Sequence, residues 1–282
     1  MGGSAGTAAA LHGGVGTSSA TASTLTAAIT MHQVAAGDEQ HHCVVVELPN
    51  AQPVWVDALH ATLTDGSHHL IVDRANAQTA LMTSSESCSP TMAGDATRLL
   101  IAQQHDTRLA LPAGVAYRLE THQRIFLQLH FINIGEKPLE IAGTVELSLS
   151  TASSPKEAKS IFIGATNIML AAGQPGSAKY FGKPPVNGAA WRVFALTSHT
   201  HQLGVRSTIE RVASLDAPEV TALHESLDWS EPPLTQLATP LVFDGSDGLR
   251  LICRYMNTTN RTVTFGTGAA DEMCFMWLYY YQ

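Results

Sequence analysis

The run "QRIFLQLHFINIG", residues 123–135, decides the fold class. Apolar and polar side chains alternate through its centre. On an extended strand, Leu127, Leu129 and Phe131 share one face, and Gln128 and His130 share the other. A helix would repeat its apolar positions every three or four residues, which this run does not do. It reads as a strand with one face in a core. His130 is then carried on the opposite face, beside an amide.

Runs of the same kind recur in both directions from it. "HHCVVVELPN" (41–50), "HHLIVDR" (68–74) and "LEIAGTVELSLST" (139–151) are three. "WRVFALTSHTHQLGVRSTIERV" (191–212), "LRLICRYMN" (249–257), "RTVTFGTG" (261–268) and "MCFMWLYYYQ" (273–282) are others. Gly, Pro, Asn and Asp bound them, and helical periodicity is almost absent, so the chain is expected to be all-β and built from antiparallel sandwiches. The polar tract "STASSPKEAKS" (150–160) separates two strand-rich halves. A boundary near 155 divides the chain into domains 25–154 and 155–282, each of ordinary size. Residues 1–24, "MGGSAGTAAALHGGVGTSSATAST", read as a flexible linker. They contain neither the basic nor the apolar segment of an export signal, so Met1 is expected to stand after a removed one.

The 282 residues carry a net charge of −8, and only 14% are charged. No basic patch is available for nucleic acid. No apolar run approaches the roughly 18 residues that span a bilayer. Thirteen histidines against four cysteines are the compositional oddity, and a histidine excess points to metal. In "SHTHQLG" (198–204), His199 and His201 lie two apart and would share a strand face. In "SHHLIV" (67–72), His68 and His69 are adjacent, so they reach one metal only where a strand starts or bulges. The turn signal Asp65-Gly66-Ser67 permits that. A second doublet, His41-His42 in "QHHC", shows how readily such pairs arise by chance. His60, His105, His122 and His224 are expected at the surface. At the C-terminus, Met273, Phe275, Trp277 and Tyr279 would share one strand face, and Cys274, Met276 and Leu278 the other. A methionine beside Asp271 and Glu272 is an unusual core residue. No CxxC occurs; four separated cysteines fit either two disulfides in an oxidising compartment or four buried thiols.

Taken in order, "SHHLIV", "LQLHF", "HTHQLG" and "DEMC" resemble the motifs of the copper type II, ascorbate-dependent monooxygenases, in the form of the family's shorter bacterial members. The resemblance spans residues 25–282. It implies two jelly-roll sandwiches facing across an interdomain cleft, with one copper ion on each. His68, His69 and His130 match the ligands of an electron-transfer copper. His199, His201 and Met273 match the catalytic, oxygen-binding copper. Imidazole suits both oxidation states, and a soft thioether favours the cuprous one. Gln128 matches a glutamine that stands near the first copper without ligating it. Cys253 and Cys274 match a family disulfide. Cys43 and Cys88 are expected to pair because the usual partners of their counterparts are missing. The implied reaction hydroxylates a C–H bond using O2 and electrons from ascorbate or an equivalent donor, outside the cytoplasm. Where the peptide-hydroxylating members carry substrate-anchoring Arg, Asn and Tyr, this chain has Thr197, Phe275 and Trp277. A peptidylglycine substrate is therefore not expected, and a small apolar or aromatic one is. The alternative reading is a copper protein for storage, delivery or sensing that catalyses nothing.

Overall fold

The computed structural model describes residues 13–88, 96–183, 189–268 and 270–282. Among these the regular elements are all strands. The first half contains β1 (Gly14–Ala20), β2 (Thr24–Val34), β3 (Glu39–Glu47), β4 (Val54–Leu63), β5 (Ser67–Arg74), β6 (Met82–Ser87), β7 (Thr97–Ala102), β8 (Asp106–Ala110), β9 (Val115–Leu119), β10 (Arg124–Ile132), β11 (Leu139–Leu149) and β12 (Lys156–Glu157). The second half contains β13 (Lys159–Ala165), β14 (Met169–Leu170), β15 (Pro175–Gly182), β16 (Trp191–His199), β17 (Gly204–Val212), β18 (His224–Ser226), β19 (Thr235–Phe243), β20 (Gly248–Met256), β21 (Val263–Thr264) and β22 (Cys274–Tyr281). Among the described residues no helix is long and apolar enough to cross a membrane.

Hydrogen bonding links β12-β9-β4-β11-β2-β1-β6-β3-β10-β5-β7 into one path, with β8 on β4. The path folds over so that β11 faces β5 and β10; Gly143 on β11 lies directly against Leu70 and Leu129. The inward residues of β10 are those its alternation selects: Leu127, Leu129 and Phe131 are fully buried in this core. The second half forms two four-stranded sheets, β13-β22-β16-β19 and β15-β20-β17-β18, around a core of its own.

The opening stretch departs from the expected linker. Residues 1–12 lie outside the described part, but Gly14–Ala20 form β1, paired along its length with β2. Small side chains make this possible. A Cβ at Gly16 would stand 2.8 Å from Val44 Cβ and Val46 Cγ1, so only glycine lets β1 approach β3 this closely. A second departure concerns "WRVFALTSHTHQLGVRSTIERV", which is two strands, β16 and β17, joined by a turn at residues 200–203.

The halves meet through the outer face of the β13-β22-β16-β19 sheet. Phe194, Ala195, Trp277 and Tyr279 belong to the core cluster of the first half. Cys274, Met276 and Leu278, on the other face of β22, pack in the second core. Tyr279 Oη accepts the Ile101 backbone N–H at 3.0 Å, which ties β22 to β7. Both disulfides are formed, Cys43–Cys88 and Cys253–Cys274.

Candidate metal centre

Three neighbouring strands set a row of imidazoles on one face of the first sheet. His130 on β10 stands opposite His41 on β3 and opposite His69 on β5. Residues directly opposite on antiparallel strands bring their Cβ atoms to about 5 Å. The His41 and His130 rings stack at 3.9 Å between centroids, and His69 stands 5.0 Å from His130. One ligand atom from each of His41, His69 and His130 lies within 4.8 Å of the others. His68 is the extra residue of a bulge: His69 pairs with His130, while the next pairing is Ser67 with Phe131. Gly66, with φ of +85°, makes the turn that launches this strand start. The bulge turns the His68 ring toward Trp229 (5.2 Å) while keeping it 5.1 Å from His130.

The nitrogen atoms are prepared for a cation. His130 Nε2 donates to the Glu39 carboxylate at 3.0 Å. His130 Nδ1 is then a buried nitrogen with no partner, and so is His69 Nδ1. Burial holds the His41, His68 and His130 rings down to a pKa of about 3, and His69 well below its ordinary value. Neighbouring imidazoles push in the same direction. The rings are therefore neutral at ordinary pH, and each keeps a lone pair.

His199 ends β16, and His201 lies in the turn beyond it, so strand parity does not bring them together. Glu272 does. Its carboxylate accepts the backbone N–H groups of His201 (3.0 Å), Leu203 (2.7 Å) and Met273 (3.3 Å). This locks the turn against the residue before Met273. Burial pushes the Glu272 carboxyl up to about 7, and the three N–H groups oppose the shift. Tyr255 Oη donates to the Met273 carbonyl at 2.7 Å and fixes it from the other side.

Both ring tautomers follow from their partners. The Gln103 amide nitrogen donates to the Ser198 carbonyl (2.9 Å) and to Thr197 Oγ1 (3.2 Å). Gln103 Oε1 must then face His199, whose Nδ1–H donates to it at 2.6 Å. The Asp271 carbonyl can only accept, so His201 Nδ1 donates to it at 3.0 Å. Each imidazole keeps Nε2 unprotonated, which is the tautomer a metal requires. Burial lowers the pKa of both rings.

His41, His69, His199, His201, Met273, Trp277 and Gln128 line one cavity. His68 and His130 line a second one with Glu39, His201 and Trp229. The expected cleft is closed at this point: the His69 and His199 rings are 5.5 Å apart, and His68 and His199 are 6.5 Å apart. The donor set of neutral imidazoles, one thioether and orphaned buried ring nitrogens fits copper in either oxidation state. Gln128 Nε2 points at the first disulfide, 3.8 Å from Cys43 Sγ and 3.7 Å from Cys88 Sγ. Of the aromatic and polar positions expected at the substrate, Trp277 lines the cavity. Thr197 is buried beneath it as a partner of Gln103, and Phe275 stacks on Phe162 at 4.5 Å. His60, His105 and His122 are on or near the surface, but His224 is only 3% exposed. It is buried because Ser198 Oγ (2.8 Å) and Thr235 Oγ1 (2.9 Å) satisfy both of its nitrogens.

Residues 183–282 match the family model described as "Copper type II ascorbate-dependent monooxygenase, C-terminal domain". The likeness to that family covers this C-terminal region. His199, His201 and Met273 fall within the match, and the histidines of the first half lie outside it. The family's dependence on copper and ascorbate agrees with the donor set. No curated protein sequence matches the chain. Among solved structures, the major capsid protein P2 of bacteriophage PM2 aligns at 7% identity over 90% of this chain and 97% of its own, with a TM-score of 0.38. Vicilin from Corylus avellana (hazelnut) aligns at 8% identity over 86% and 77%, with a TM-score of 0.18. Likeness at that level defines no common fold.

Sequence reasoning missed four residues of the centre. His41 was hidden in a doublet, although it shares strand parity with Cys43. Glu39, Gln103 and Glu272 carry no signal in their own sequence neighbourhoods. Their roles come from partners 91, 96 and 71 residues away.

Proposed function

We propose that the chain is a copper-dependent monooxygenase with two domains, the strands β1–β12 and the strands β13–β22, each holding one copper ion. In the C-terminal site His199, His201 and Met273 are the ligands and the catalytic set. In the N-terminal site His68, His69 and His130, whose rings stand 5.0–5.2 Å from one another, are the ligands. The supporting observation is the convergence of His199, His201 and Met273 on one cavity, with both histidines held in the Nε2-ligating tautomer. When bound, copper supplies one-electron redox change and a binding site for dioxygen.

The protein's own contributions are positional. Gln103 and the Asp271 carbonyl hold the two rings, and Glu272 holds the turn that carries His201. Ile71, Ile101, Phe162 and Trp277 give the cavity beside Met273 apolar walls, with Arg98 and Gln128 also on its lining. Those walls favour a small apolar or aromatic substrate, with electrons from ascorbate or an equivalent donor. The two disulfides support a place outside the cytoplasm.

The test is metal content followed by turnover. The purified full chain should take up two coppers. With ascorbate it should consume O2 in proportion to an added apolar aromatic substrate, and 18O2 should label the product alcohol. Two bound coppers without substrate-dependent O2 consumption across a broad panel would point to storage or delivery. Uptake of zinc alone would sink the proposal.

A further inference from the structure

The cavity lined by His199, His201 and Met273 has one wall that the metal ligands do not use. Arg98 on β7, Phe162 on β13 and Trp277 on β22 form it. The Arg98 guanidinium carbon stands 5.6 Å from the centre of the Phe162 ring and 5.5 Å from that of Trp277. The two rings are 4.2 Å apart. Ring faces hold a guanidinium without using its N–H groups. Arg98 Nε is buried with no hydrogen-bond partner, and so is Trp277 Nε1. Both atoms can only donate. Two buried donors at one wall of a cavity lack an acceptor, and leaving such groups unpaired is costly.

We propose that this wall is a subsite for an anion, and that the substrate is a small apolar or aromatic carboxylate whose acid group is held by Arg98 beside Trp277. This rests on the monooxygenase reading above, and it adds a charge to the apolar molecule proposed there.

The guanidinium has one rival partner. Asp73 stands directly opposite Arg98 on β5, so both side chains leave the same face of the sheet. Neither Asp73 oxygen has a hydrogen-bond partner, so the two are not joined, and Asp73 does not line the cavity. Arginine keeps its charge at every working pH, and its fork of N–H groups matches the two oxygens of a carboxylate. Arg98 and Phe162 are partly exposed, whereas Trp277 is 2% exposed. The charged end of a ligand therefore has a place at the more open part of the wall. Its hydrocarbon part would lie along Ile71, Ile101 and Trp277, within the cavity that His199, His201 and Met273 line.

The experiment uses the full chain, metal-free and loaded with cuprous copper, a soft ion that carboxylate oxygens ligate poorly. Calorimetry gives affinities for benzoate, phenylacetate and 3-phenylpropionate, each against its neutral amide. At least one acid should bind tighter than its amide by about tenfold or more, the usual worth of a hydrogen bond to a charged group. Arg98→Met should abolish that preference and leave the amide bound as in wild type. Thermal unfolding reports whether the variant folds, and Arg98→Gln, also neutral, is read in its place if it does not. Arg98→Lys keeps the charge and loses the fork, so it should retain part of the preference. A residue that only packs between two rings would move the melting temperature and leave the acid-to-amide ratio alone. Equal affinity of acid and amide in all three pairs, absence of binding included, overturns the subsite. A preference that survives Arg98→Met does the same. The two readings fail separately. Copper uptake and substrate-dependent O2 consumption without any preference for acids would remove the subsite alone. An acid that binds with the preference but stays unoxidised under ascorbate and O2 would overturn its place as the substrate.

Discussion

Asp73 shows what one residue can carry unnoticed. It is fully buried on β5, four residues beyond His69, and neither carboxylate oxygen has a hydrogen-bond partner. Burial pushes its pKa from 3.8 up to about 7, with the Arg98 guanidinium pulling the other way. The sign of the consequence is fixed. Between about pH 4 and pH 7 the folded chain holds a proton that the unfolded chain has released. The native state is therefore most favoured on the acid side, loses stability as pH rises toward 7, and changes no further above it. The loss is at most about 1.4 kcal/mol for each pH step of one that is crossed. Asp73→Asn removes the dependence, so its melting temperature should gain on wild type between pH 5 and pH 8. An offset equal at both pH values would contradict the assignment. Asp73 drew no notice in "HHLIVDR" because an Asp near a strand end reads as a surface residue. Its surroundings include Tyr279, more than two hundred residues further along the chain.

At the scale of elements, β22 was the most legible part of the chain. Its alternation separates two faces, and the structure keeps them: Trp277 and Tyr279 pack in one core, Cys274, Met276 and Leu278 in the other. The same reasoning served β10 well. It failed for His199 and His201, because a strand was assumed to run through a turn. Parity describes a strand and cannot see the carboxylate 71 residues away that shapes the turn. The Cys253–Cys274 bridge closes 21 residues and joins β20 to the residue after Met273. Replacing both cysteines by serine should cost about 3 kcal/mol in the chain-entropy model, read as a lower midpoint in denaturant unfolding. The apo protein should show the full loss. A change below about 1 kcal/mol would mean that the unfolded chain is already constrained there. Met273 has two further tethers, the Tyr255 hydroxyl on its carbonyl and Glu272 on its N–H. The reduced chain should therefore keep the thioether near its place.

At the scale of the molecule, the two halves bring their histidines side by side, with the His69 and His199 rings 5.5 Å apart. Among the described residues strands pair only within each half, so pairing alone describes two sandwiches. The contacts between them are what sequence could not supply. Gln103 follows β7 in the first half, yet its amide sets the ring of His199 in the second. Three hydrogen bonds meet at this one side chain, and only one arrangement of its amide satisfies them all. Docking of the halves and the tautomer of His199 are therefore a single event. Gln103→Leu removes the acceptor and both donations. Copper held by His199 and His201 should weaken by about 10–100-fold, and its cupric resonance should change. Gln103→Glu keeps an acceptor for Nδ1–H and loses only the donations, so it should restore most of the wild-type resonance. A residue that merely fills the interface would behave differently. Leu and Glu would then both leave the resonance unchanged while lowering the melting temperature, and that pattern would remove Gln103 from the metal centre.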